Sequence, residues 1–353
     1  MRAGRIAAIL RRPRRGDLPH RVIDAGIVAP GFIDLQVNGG FGAEVGAGGT
    51  PALRLLGERL PSTGVTGFLP TLVSSPPGAI EDCLADVARA DTTGARLLGL
   101  HLEGPLLSPG RAGAHDREII AAARAADLAR LADHPSLRLV TLAPERPGAL
   151  DLVHQLAAGG KLASIGHTDA SFEQATAAFD AGATLATHLF NAMPPLGHRA
   201  PGAAGAALLD DRVTCGVIPD SVHLHPATLR LALRAKGPER IALITDAIAA
   251  AGMPPGDYRL GGLAVRSDGV AARLADGGAL AGSLLTMDRA VRNLAAIAGA
   301  ATALRLAGEV PARVLGLPGR LARGAPADLV LLDDELRVQA TIVAGETVFT
   351  RSA

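Results

Sequence analysis

From Pro30 onward the chain alternates two kinds of apolar pattern. Short aliphatic runs bounded by Gly, Pro or Asp have no polar face, which suits strands buried on both sides of a parallel sheet. Ala/Leu-rich stretches between them place apolar residues three and four apart, the mark of amphipathic helices. The predicted strands are GFIDLQV (31–37), VTGFLPTLV (65–73), ARLLGLHLE (95–103), LRLVTLAP (137–144), KLASIGH (161–167), ATLATHL (183–189), RVTCGVIPD (212–220) and RIALITD (240–246). TPALRLLGERL, GAIEDCLADVARA, REIIAAARAADLARLAD, GALDLVHQLAAG, ASFEQATAAFDAG and PATLRLALRAKG predict helices, several opening near Pro, Ser or Thr and several closing near Gly. Eight such strands within 31–246 favour an α/β fold of the closed (β/α)8, TIM-like type over an open sheet.

After Asp246 the rhythm changes. GDYRLGGLAVRSDGVAARLADG predicts a β-hairpin region with Asp-Gly turns at 268–269 and 276–277. Helices follow around MDRAVRNLAAIAG and ATALRLAGEVPARVLG, then strands in PADLVLLDD and RVQATIVAGETVFT. At the other end, RIAAIL and HRVIDAGIVAPG predict two short strands around an Arg/Pro turn. Both ends are strand-rich, so residues 1–28 and 319–353 are expected to pair into a small β-sandwich beside a barrel spanning 29–318.

Composition narrows the function more than the fold. A 353-residue chain with 48% hydrophobic and 20% charged residues suits one large domain with a small companion. A net charge of +1 provides no field to gather nucleic acid or an anionic membrane, so neither partner is expected and an anionic substrate must be gripped locally. The only cysteines, Cys83 and Cys215, exclude a four-cysteine zinc site and a disulfide framework, and fit a reducing cytoplasm. The N-terminal apolar run IAAIL is shorter than a signal-peptide core, and no stretch approaches a membrane span; a cytoplasmic location is expected.

Glu103, His167 and His188 fall at the C-terminal ends of predicted strands three, five and six, the rim where barrels of this type keep their chemistry. A carboxylate and two imidazoles form an O,N,N metal set that leaves positions open for water and substrate. Asp246 ends strand eight on the same rim, placed to take a proton from water and return it to a leaving group. Strand one ends in DLQVNGG, where Gln36 and Asn38 share a face. Neutral amides are poor transition-metal ligands, and neither Lys161 nor Lys236 ends strand four, so one metal is favoured over two. His115, Arg199 and His223 lie on predicted rim loops, where they could address an oxyanion or a carbonyl; a loop arginine is as readily a solvated one.

PGFIDLQVNGG, GLHLEGPLLSPGRAGAHD, SIGHTDA, THLFNAMPP, LITDA and LAGSLLTMDRAVRNL together resemble the N-acetylglucosamine-6-phosphate deacetylase family of the amidohydrolase superfamily, in order and approximate spacing from about residue 29 to the C-terminus. The resemblance implies a metal-dependent (β/α)8 barrel flanked by a small β-sandwich from both chain ends. It implies hydrolysis of N-acetyl-D-glucosamine 6-phosphate to D-glucosamine 6-phosphate and acetate. Glu103, His167 and His188 would bind one divalent ion, zinc in the first place with Fe2+, Co2+ or Mn2+ as alternatives, and Asp246 would be the general acid/base. Sugar-phosphate contacts are implied for Ala114, His115, Asn191, Ala192, Arg199, Asp220, Ser221, Val222, His223, Leu280, Ala281 and Gly282. A homodimer is also implied. Family members begin with further strand residues before the segment matching RIAAIL, so a reduced sandwich or an upstream start is expected. The rival readings are the galacto epimer as substrate and a non-catalytic amidohydrolase-like scaffold; a deaminase or cyclic amidase fits less well, because those enzymes mostly rely on strand-one histidines.

Overall fold

The structure, a computed structural model, describes Met1 and residues 3–10, 25–276 and 278–352. Its centre is a ring of eight parallel strands: Phe32–Val37, Val65–Val73, Leu100–Glu103, Leu137–Leu142, Leu162–Ile165, Leu185–Ala186, Thr214–Val217 and Ile241–Leu243. Each pairs in parallel with the next in sequence. The seam between strands eight and one is closed by a parallel bridge from Val37 to Ala247 and by Asp246 N–H donating to Gln36 O at 3.0 Å. Asp34, fully buried, fastens the same seam by accepting from the Thr245 hydroxyl at 2.6 Å and the Thr245 N–H at 3.2 Å. The ring is therefore a barrel, and all eight predicted strands take part in it.

Amphipathic helices cover the outside. In Pro77–Arg89, Ile80, Cys83, Leu84 and Val87 bury one face against the barrel, at the three- and four-residue spacing read from the sequence. Ser171 and Gln174 form a capping box that starts Phe172–Asp180 and satisfies two otherwise orphaned N–H groups. One predicted helix is broken: REIIAAARAADLARLAD forms two short helices, Arg117–Ala122 and Ala125–Ala129, with Ala123 and Arg124 extended between them. The Arg146 guanidinium donates to the Ile120 and Ala123 carbonyls, each at 3.2 Å, and Ile120 O also accepts from the Ala123 N–H at 3.3 Å. The helix Gly202–Leu209 has no amphipathic signal, because residues 202–208 are all buried.

Beside the barrel lies an antiparallel four-stranded sheet of Ile27–Pro30, Leu329–Leu332, Val338–Val343 and Glu346–Thr350, contributed by both chain ends. Of the two predicted N-terminal strands, Ile27–Pro30 forms. The segment 5–10 contributes a single bridge, from Arg5 to Pro326, and residues 11–24 lie outside the described residues. The hairpin region is a three-stranded sheet, Gly256–Leu260, Leu263–Ser267 and Ala272–Leu274. Its first turn is Gly261–Gly262, at φ +57° and +84°, where an L side chain would be strained. Of the two predicted turns, Asp268–Gly269 joins the second and third strands, and the 276–277 turn falls partly outside the described residues. Among the described residues no helix is long and apolar enough to cross a membrane.

Candidate metal centre and substrate pocket

Glu103 is the last residue of barrel strand three; His167, His188 and Asp246 follow strands five, six and eight by two or three residues. At these last three positions the backbone is left-handed, with φ of +48°, +29° and +52°. That conformation costs a residue with a side chain about 1–3 kcal/mol and persists only where neighbours fix it. They do so here: Ser108 N–H donates to His167 O at 2.9 Å, and Ser283 N–H donates to Asp246 O at 2.8 Å. On either side of His188, Thr187 N–H donates to Ile165 O at 2.9 Å and Leu189 N–H to Gly216 O at 2.8 Å.

The three predicted ligands converge. His188 Nε2 lies 3.0 Å from both Glu103 Oε1 and His167 Nε2, and His167 Nε2 lies 3.5 Å from Glu103 Oε1. Donors bonded to a tetrahedral zinc are separated by about 3.3 Å, so this triangle has the size of one face of such a site. His167 Nδ1–H donates to Arg111 O at 2.8 Å, which leaves Nε2 bare with its lone pair toward the centre. Burial acts to raise the Glu103 pKa, but the two histidines beside it outweigh that and hold the carboxyl well below its ordinary range. The donor set fits a divalent cation.

Two amides complete the inner wall. Gln36 Nε2 donates to Glu103 Oε1 at 2.8 Å and to Asp246 Oδ1 at 3.0 Å, while Asn38 Nδ2 donates to Asp246 Oδ1 at 2.6 Å. Because carboxylates accept, the amide nitrogens are the atoms turned to Glu103 and Asp246; the Asn38 Oδ1 is buried without a partner, and a neutral amide oxygen is a weak transition-metal ligand beside imidazole. Burial, then the Glu103 charge, pushes the Asp246 carboxyl up to about 6. Its Oδ1 is occupied by two donors, so proton traffic falls to Oδ2.

His115 faces the cluster with Nε2 3.7 Å from Glu103 Oε2. Its Nδ1 accepts from Ser74 N–H at 3.1 Å, so the ring proton sits on Nε2. Burial, and then the neighbouring His167 ring, lower its pKa to about 3. The imidazole is a neutral N–H donor aimed at the site. His101, one layer below, is also buried and neutral, pulled down to about 4 by burial, and joins Leu35 O to the Thr141 hydroxyl.

These groups open into a pocket of about 330 Å³. Ala114, His115, Asn191, Ala192, His223, Leu280 and Gly282 line it. Asp220, Ser221 and Val222 form the turn that presents His223: Asp220 Oδ2 accepts from His223 Nδ1 at 2.7 Å, and Oδ1 accepts the Val222 and His223 N–H groups at 2.9 and 2.7 Å. Ala281 is fully buried behind the wall, in a cluster with Val73, Ile248 and Leu260. Arg199 lies outside the pocket, exposed, with Nη1 2.6 Å from His198 Nε2. Sequence reasoning missed Arg111 and Leu260, which line the pocket, and Ser74, which sets the His115 tautomer. Arg111 could have been suspected from its place inside GRAGAHD; Ser74 and Leu260 carry no such signal.

The sequence profile described as the amidohydrolase family matches residues 27–348. The chain is 42% identical over 351 residues to the N-acetylglucosamine-6-phosphate deacetylase of Homo sapiens, an alignment covering 93% of this chain and 84% of the relative. It is 40% identical over 333 residues to the N-acetylgalactosamine-6-phosphate deacetylase of Escherichia coli O157:H7, covering 92% and 88%. Among solved structures, an aspartate-to-alanine variant of the Mycobacterium smegmatis N-acetyl-D-glucosamine-6-phosphate deacetylase, in complex with N-acetyl-D-glucosamine 6-phosphate, superposes with a TM-score of 0.88 at 39% identity, covering 99% of this chain and 93% of that one. Profile, relatives and barrel agree, and the chain belongs to the amidohydrolase family.

Proposed function

We propose that this chain hydrolyses the acetamide of N-acetyl-D-glucosamine 6-phosphate, giving acetate and D-glucosamine 6-phosphate, with one divalent cation, zinc in the first place, held by Glu103, His167 and His188. The observation that carries the reading is the convergence of that triad with an Asp246 whose Oδ1 is pinned by Gln36 and Asn38. When bound, the cation supplies Lewis-acid polarisation of the acetamide carbonyl and acidifies the attacking water. Asp246 Oδ2 accepts the proton of that water as it attacks. The His115 Nε2–H donates to the carbonyl oxygen as negative charge gathers on it. Protonated Asp246 then donates to the amine nitrogen as the C–N bond breaks, which returns the carboxylate to its starting form.

In this reading the 6-phosphate and sugar hydroxyls are bound by Ala114 and His115, Asn191 and Ala192, Arg199, the Asp220–His223 turn and the Leu280–Gly282 segment. Remote binding of the phosphate orients the acetamide and lowers the barrier at the reacting carbonyl. The protein acts in the cytoplasm as a homodimer. Both described cysteines are free and buried, in keeping with a reducing compartment. Exposed Leu196 and Leu231 flank an apolar depression that shares His223 with the pocket, a surface suited to a second copy. Because a 40% identical relative is named for the galacto epimer, acetate release is to be measured on both sugar phosphates. A higher kcat/KM for the gluco sugar supports the reading, a higher value for the galacto sugar replaces its substrate, and no release from either defeats it.

A further inference from the structure

The short 3-10 turn Pro109–Arg111 is gripped at both ends by the loop that carries His167. At one end Ser108 N–H donates to His167 O at 2.9 Å, and the Ser108 hydroxyl donates to Asp169 Oδ2 at 3.0 Å. At the other, Arg111 O accepts from His167 Nδ1 at 2.8 Å, and Arg111 Nε donates to Asp169 Oδ1 at 2.6 Å. Two hydrogen-bonded rings thus share the segment 167–169.

Close packing sustains the contact. A Cβ built on Gly110 would sit 2.6 Å from Asp169 Oδ2, and one on Gly113 would sit 3.1 Å from His167 Cε1, so glycine at both positions lets the turn lie against the loop. From the far side Glu145 accepts from the Thr168 hydroxyl and from Asp169 N–H, the latter at 2.7 Å, which fixes where the Asp169 backbone stands. Every anchor leads to one atom, the Arg111 carbonyl oxygen that holds the His167 ring.

We propose that Asp169 is a positioning residue for the metal centre: its carboxylate holds Arg111 and Ser108 so that the Arg111 carbonyl keeps His167 oriented, with Nε2 bare toward the cation. The proposal rests on the reading of His167 as a ligand. Asp169 does not line the pocket, and its carboxylate bonds to Ser108 and Arg111 rather than to the triad, so its effect is on metal affinity before it is on rate. Outer partners of a ligating histidine are worth about 10–100-fold in affinity, and Asp169 acts one step further out and is part-exposed, which places it at the lower end.

The test measures zinc affinity of the full-length protein by competition with a chromogenic chelator, for wild type, Asp169→Ala and Asp169→Asn, alongside thermal unfolding of the metal-free forms. The expected result is about tenfold weaker zinc binding for Asp169→Ala. Asp169→Asn, which retains one neutral acceptor, should fall between it and wild type, with metal-free melting temperatures within a few degrees. Raising ionic strength should weaken zinc binding by wild type more than by Asp169→Ala, because the Arg111–Asp169 pair is open to screening. Wild-type zinc affinity in both variants overturns the proposal while leaving the triad intact; wild type that binds no zinc overturns the triad itself.

Discussion

Asp246→Asn isolates the proton-transfer step from everything else the site does. Asp246 Oδ1 accepts from Gln36 Nε2 and Asn38 Nδ2, so an asparagine keeps its carbonyl oxygen on those donors and turns its own NH2 to the position of Oδ2. That group cannot take a proton from water or deliver one to the amine. Loss of a positioned general acid/base costs about 10²–10⁴ in rate, or about 2.7–5.4 kcal/mol in the barrier. Zinc affinity and folding should change little, because the hydrogen-bond pattern is preserved. Asp246→Ala provides the contrast: Gln36 still reaches Glu103, but Asn38 Nδ2 loses its acceptor, which costs about 1–3 kcal/mol of stability. The assay is single-turnover and steady-state acetate release on protein of measured metal content, with a denaturant melt of each variant. Metal-loaded Asp246→Asn turning over within about fivefold of wild type would refute the assignment of the base, since a mere change of polarity predicts so small a loss.

Glu103→Gln replaces the only anionic ligand by an amide and sets its NH2 against the Gln36 donor or the histidines; zinc affinity should fall by more than about 100-fold, and near-wild-type affinity in a chelator competition would contradict the triad. The acid limb of kcat/KM should follow Asp246: the base works ionised, its pKa is raised to about 6 by burial, and a bound cation draws it lower. Activity should therefore be flat above pH 6 and fall with unit slope somewhere below it, whereas an acid limb centred above pH 7 would assign the base elsewhere.

The sequence revealed the strand ends better than what surrounds them. Buried aliphatic runs ending in Glu103, His167, His188 and Asp246 mark both strand and rim, since a parallel barrel leaves each strand no polar face until its exit. The left-handed turns at three of those residues were not legible, because nothing local in SIGHTDA or LITDA demands positive φ; contacts from 108, 216 and 283 impose it. Gln36 and Asn38 could be read as absent histidines, but their positive work, holding Glu103 and Asp246 with amide N–H groups, needed the geometry of two carboxylates from distant strands. Gly202–Leu209 shows no period because a helix buried along its length has none to read, and the break at Ala123 is met by Arg146, an arginine from the loop after the following strand. Arg199 is placed by the resemblance among the phosphate contacts, while its own chain leaves it on the surface.

The central claim is a single-cation deacetylase, and titration of the metal-free protein with zinc tests it most directly. Acetate release from N-acetyl-D-glucosamine 6-phosphate is followed as zinc is added. Activity should rise to a plateau at one equivalent per chain, as three inward ligands and strand-one amides that are weak transition-metal donors require. A plateau at two equivalents, or no acetate at any zinc concentration, would contradict the account.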